Sequence, residues 1–109
     1  MKKFSLTKNT KDYFGTTLYQ IKAEMSFGNV VKGELGGWIE KKENLDEDGN
    51  AWVSGNARVS GNAQVYGDAQ VYGNAWVYGN ARVYGDARVS GDAWVSGKLK
   101  LLAGWFFRS

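Results

Sequence analysis

Neither histidine nor cysteine occurs in the 109 residues. The commonest general base, the commonest metal ligand and the thiolate nucleophile are therefore missing together. Chemistry would have to rest on carboxylates, and their spacing offers one pair. Asp68 and Asp86 stand 18 residues apart in matching surroundings, a placement that would suit a cation or an acid/base couple. Asn50 occupies the equivalent position one period earlier, however, and Asn and Asp share a turn role. The pair reads as two corner residues, and the run Asp46-Glu47-Asp48 reads as a solvated, self-repelling loop. No catalytic residue, metal site or cofactor is expected, and the chain is not expected to be an enzyme.

A second chemistry, recognition, is better supplied. Trp, Tyr and Arg recur at fixed intervals from Trp52 to Trp94, and these types are enriched among the residues that dominate binding at interfaces. What they can do depends on the elements that carry them, and those follow from a repeat. From Gly49 the chain runs GNAWVS, GNARVS, GNAQVY, GDAQVY, GNAWVY, GNARVY, GDARVS, GDAWVS, with the next Gly at 97. A helix cannot use a six-residue period with Gly in every unit. Ala-x-Val is strand alternation, with Ala and Val on one side and x on the other. Gly followed by Asn or Asp is turn chemistry, because both tolerate left-handed backbone. Each unit is one short strand and one corner, and three units predict a triangular coil of 18 residues stacked about 4.8 Å from the next. A single coil cannot bury enough to stand alone, so coils must stack and both ends need caps. The fold class is all-β, a three-sided β-solenoid.

Sorted by face, the outward fourth positions form the columns Trp52/Gln70/Arg88, Arg58/Trp76/Trp94 and Gln64/Arg82/Lys100. The sixth positions form Ser54/Tyr72/Ser90, Ser60/Tyr78/Ser96 and Tyr66/Tyr84/Leu102. The second face thus gathers Arg58, Trp76, Tyr78 and Trp94 into one patch, the candidate partner-binding surface; the competing reading is a set of aromatic ladders that only stiffen the sheet. Downstream, Leu99 takes an Ala position, and Trp105, Phe106 and Phe107 would plug the open end or form a second contact surface. Upstream, Ile39 and Leu45 fall in the Ala register, which starts an irregular first coil near Gly36. The expected organisation is a β-rich N-terminal cap over 1–35, with Thr17–Ala23 its best strand, a solenoid over 36–103, and an apolar cap over 104–109.

The units resemble the hexapeptide repeats of left-handed β-helix proteins, the trimeric acyltransferase-like superfamily. More closely, Gly33-Glu34-Leu35-Gly36-Gly37-Trp38-Ile39-Glu40, then Glu43-Asn44-Leu45, then Gly-Asn-Ala-x-Val units, resemble YdcK-like β-solenoid proteins of the kind frequent in bacteriophages and prophages. The resemblance implies a left-handed coil and a viral origin; the period by itself fits a right-handed three-sided solenoid as well. Acyltransferases of the superfamily use a catalytic His and its carbonic anhydrases use three, so the enzymatic alternative meets a chain with none.

Residues 1–48 balance eight Lys with eight acidic residues, whereas 49–109 carry six basic residues against three Asp, which is the whole net charge of +3. This mild basicity lacks the dense clustering of nucleic-acid binders. A nucleic-acid reading would use Arg82, Arg88, Lys98 and Lys100 with stacking aromatics. The regular Thr ladders of an ice-binding face are absent. No basic start is followed by an apolar run and no stretch reaches membrane-span length, so a cytoplasmic protein is expected, in the host cytoplasm if phage-encoded. The leading expectation is a non-catalytic protein-interaction module, homo-oligomeric as a dimer or trimer, that occupies the surface of a host protein such as a defence factor.

Overall fold

The computed structural model of the chain describes residues 2–96 in full and residues 100–101 and 105–108 through their backbone. An antiparallel hairpin, β1 (Phe4–Tyr13) and β2 (Thr16–Ala23), leads into β3 (Leu35–Ile39), which pairs with β2. A single 3-10 turn follows at Lys42–Asn44. Each hexapeptide then gives one short strand at its x-Val positions: β4 (Trp52–Val53), β5 (Arg58–Val59), β6 (Gln64–Val65), β7 (Gln70–Val71), β8 (Trp76–Val77) and β9 (Arg82–Val83). The series continues as β10 (Arg88–Gly91), β11 (Trp94–Val95), β12 (Lys100–Leu101) and β13 (Trp105–Arg108).

Parallel pairing joins residues 18 apart, as the period predicts: Trp52 with Gln70 and Gln70 with Arg88, Arg58 with Trp76 and Trp76 with Trp94, Gln64 with Arg82 and Arg82 with Lys100. Three faces result, in the orders β13-β10-β7-β4, β1-β2-β3-β5-β8-β11 and β12-β9-β6. Every Ala and Val of the repeats from Ala51 to Val95 is at most 1% exposed, so the two inward columns fill the bore. At the corners, the glycines from Gly49 to Gly91 hold φ between 63° and 75°, the left-handed region that a side chain disfavours.

The hydrogen bonds that join coils at the corners and strand ends share one direction. Backbone N–H groups donate toward the C-terminal coil, as Trp52 does to the Ala69 carbonyl (3.1 Å) and Trp76 to that of Ala93 (2.9 Å). The first regular coil therefore turns its corner and strand-end carbonyls toward the N-terminal side, and each face meets them with a different donor. On the second face the N–H groups of Trp38 and Glu40 donate to Ala57 and Val59 (2.9 and 3.0 Å). On the third, the Asn44 side-chain amide donates to Ala63 (2.9 Å) and Gly61 (3.2 Å). On the first, the Lys3 ammonium donates to Ala51 (2.9 Å) and Gly49 (3.4 Å) while lying 4.9 Å from the Phe27 ring centroid. Lys3 is 2% exposed; burial pulls its pKa below the ordinary value, against the opposing pull of Asp46, Glu47 and Asp48.

Two expectations need correction. Ile39 and Leu45 take the Val column rather than the Ala column, pairing with Val59 and Val65, 20 residues on. Their branched side chains fit mid-strand, while Gly37 falls in register with Ala57; a Cβ there would lie 2.7 Å from Val53 Cγ1. Trp52, outward by alternation, is only 2% exposed, because Phe27 packs edge-on against it at 5.3 Å. The Leu99 expectation lies outside the described residues, as do Lys98 and Leu102.

Candidate interaction surface

The second face is built from the repeat and from the hairpin together. Between Leu6 and Thr10 the β1–β2 register slips, with two more residues on β1 than on β2. Such a bulge bends its strand. Thr7 Oγ1 fixes it by donating to the Gln20 carbonyl (2.8 Å), and Asn9 Nδ2 donates to Gln20 Oε1 (3.0 Å). Beyond the bulge the hairpin arm crosses the second face, reaching a different strand at each step. Lys11 Nζ lies 4.3 Å from the Trp38 ring centroid on β3, and Tyr13 covers the Arg58 guanidinium on β5 at 3.9 Å. At the tip, Phe14 stacks near Trp76 on β8 at 5.8 Å. The turn is the two-residue loop Phe14-Gly15, both at positive φ (51° and 83°). A bulky residue there costs about 1–2 kcal/mol of backbone strain, so the tip holds its phenyl ring out at an energetic cost.

Trp76 is the hub of the resulting cluster. Tyr78 stacks on it at 4.1 Å, Trp94 meets it edge-on at 5.3 Å, and Tyr13 meets it edge-on at 4.8 Å. Its indole N–H donates to Ser60 Oγ (3.0 Å), which fixes the ring's rotation about the sheet. Trp76, Tyr78 and Arg58 are half-buried, whereas Trp94 is 49% and Phe14 79% exposed. The structure thus brings Arg58, Trp76, Tyr78 and Trp94 together and adds Tyr13 and Phe14 from the hairpin. A Tyr-Phe-Gly turn between two alternating runs was the available signal for the tip, although not for where it lands.

The C-terminal candidates lie elsewhere. Backbone pairing sets Trp105, Phe106 and Phe107 beside Arg88, Val89 and Ser90 at an offset of 17, so the tail adds a strand to the first face; their side chains lie outside the described residues. On the third face, a shallow groove of about 560 Å³ runs between the loop of Glu43, Asp46 and Glu47 and the outward Gln64, Tyr66 and Arg82. Its floor is self-satisfied: Arg82 donates to Gln64 Oε1, and Tyr66 stacks on Tyr84 at 4.9 Å. Among the described residues no group of three His, Cys, Asp or Glu is placed to hold a metal, and no helix is long and apolar enough to cross a membrane. Asp68 and Asp86 are exposed at the same corner of successive coils.

A family model, the YdcK β-solenoid repeat, matches residues 51–67, 63–79, 69–82 and 81–97, overlapping windows that follow the regular coils. No curated protein matches the chain.

Proposed function

We propose that this YdcK-type repeat scaffold carries a non-catalytic protein-interaction module whose contact surface is the second face. One observation carries the reading: Phe14 and Trp94, the two most exposed aromatic rings among the described residues, flank a single interlocked cluster centred on Trp76. Exposed aromatics on a rigid support lose little conformational entropy on binding, which is what an interface anchor needs. The lack of His and Cys supports a role without catalysis. The resemblance to phage and prophage solenoids supports a host protein as the partner, bound by a homo-oligomer in the host cytoplasm.

The test is affinity capture from host lysate beside a solution-mass measurement, using the wild type and the double variant Phe14→Ala/Trp94→Ala. Both rings are exposed, so the variant keeps its β circular dichroism. Capture should fall by roughly tenfold or more if these rings are anchors. Equal capture and equal mass would move the binding surface off this face.

A further inference from the structure

We infer that the partner meets the second face with an acidic segment, whose carboxylate closes on Arg58 while its apolar residues pack on Phe14 and Trp94. This rests on the proposed interaction role and names the chemistry of its partner. Arg58 is the reason. Its guanidinium sits among aromatic rings, 3.9 Å from Tyr13 and 6.0 Å from Trp76, and no carboxylate of the described residues is among its contacts. Its Nε is buried without a hydrogen-bond partner. Its only hydrogen bond among the described residues runs from Nη2 to the Asn74 carbonyl at 3.5 Å, a long contact on the exposed side. Lys11 likewise lies over a ring, that of Trp38, with no acid among its contacts with the described residues. The nearest acid in sequence, Asp12, has Oδ1 accepting from the Thr17 hydroxyl.

Among the described residues, the face therefore presents two cations held on rings and paired with no acid. A partly desolvated guanidinium gains most from a carboxylate, which it can bind through two parallel N–H groups. Other occupants fit less well. A nucleic-acid strand gains affinity from many phosphate contacts, and two cations supply few. A second copy meeting this face symmetrically would present the same aromatic and cationic surface and leave Arg58 unpaired again.

The experiment titrates the intact protein, followed by the Arg58 Nε–H signal and the Trp76 and Trp94 indole N–H signals in nitrogen-15 NMR. Three probes are used: an end-capped hexapeptide of alternating Glu and Leu, the same peptide with Gln for Glu, and a twelve-nucleotide oligothymidine. The acidic peptide should shift all three signals and bind roughly tenfold more tightly than the Gln peptide. In Arg58→Gln that preference should shrink to about twofold or less, read at Trp94. Arg58→Lys, which keeps the charge, should retain part of it and guards against a folding failure of the Gln variant. Equal binding of the Glu and Gln peptides, no shift on this face, tighter binding of oligothymidine, or a preference that survives Arg58→Gln would each overturn the inference. Those results leave the aromatic-face reading standing if Phe14→Ala/Trp94→Ala still abolishes capture; unchanged capture sinks that parent reading separately.

Discussion

Replacing Lys3 by Met tests how the first coil is closed, because Met keeps the length of the side chain and removes its donors. Two carbonyls lose their partner. Ala51 O is bonded at 2.9 Å in buried surroundings, and Gly49 O at 3.4 Å is at the limit of a hydrogen bond. A hydrogen bond from a charged group is worth about 1.5–3 kcal/mol and an unpaired buried acceptor costs about 1–3 kcal/mol. Against this, Met relieves the desolvation of a buried ammonium. The expected net loss at neutral pH is about 1–3 kcal/mol, or roughly 5–15 °C in Tm for a domain of this size. The pH dependence separates the two contributions. Burial lowers the folded-state pKa of Lys3 below 10.5, so between that pKa and 10.5 the unfolded chain binds more protons than the folded one. Stability contributed by Lys3 therefore rises with pH in that window, is complete above 10.5, and is lost as pH falls through the folded-state pKa. Urea unfolding of both proteins at about pH 7, 8, 9 and 10 should show their difference widening toward the alkaline end. A difference that narrows would mean that Asp46, Glu47 and Asp48 outweigh desolvation. No difference at neutral pH would mean that the edge carbonyls do not depend on the ammonium.

Two further substitutions separate backbone and packing effects. Gly67→Ala and Gly55→Ala share the strain of φ +69° and +64°, but a Cβ at 67 lies 2.9 Å from Gly85 N whereas at 55 the nearest atom is 3.4 Å away. Both should destabilise by about 1–2 kcal/mol, with Gly67→Ala costing about 1 kcal/mol more by urea unfolding. Trp52→Ala should cost about 3–5 kcal/mol, since the ring is buried against Phe27, whereas Trp94→Ala should stay within about 1 kcal/mol in the same assay.

The six-residue period made the coil, its inward columns and the membership of each face legible, because alternation and corner chemistry repeat without interruption from Gly49. It says which side of a strand a residue takes but not what lies beyond that side. Trp52 and Trp76 share the GNAWV context, yet Trp52 is buried and Trp76 half-buried, because different non-repeating segments cover them. Lys3, Tyr13 and Phe14 were hidden for the same reason. Their roles arise from contacts more than 40 residues away in sequence, between Lys3 and Gly49, Tyr13 and Arg58, and Phe14 and Trp76. The slip to a 20-residue offset at Ile39 and Leu45 depends on side-chain size within the bore, which a fixed count of residues ignores.

The carbonyls that the first coil turns toward its N-terminal side bear on how copies of the chain can meet. An open row of acceptors would be a seed for fibres, since it offers the next copy a template for pairing. Here the acceptor end is spent internally, by an ammonium on the first face, strand N–H groups on the second and a carboxamide on the third. Filament growth onto that end would first have to displace three unlike groups, each needing its own rearrangement. The N-terminal end of the stack is thereby closed to further strand pairing.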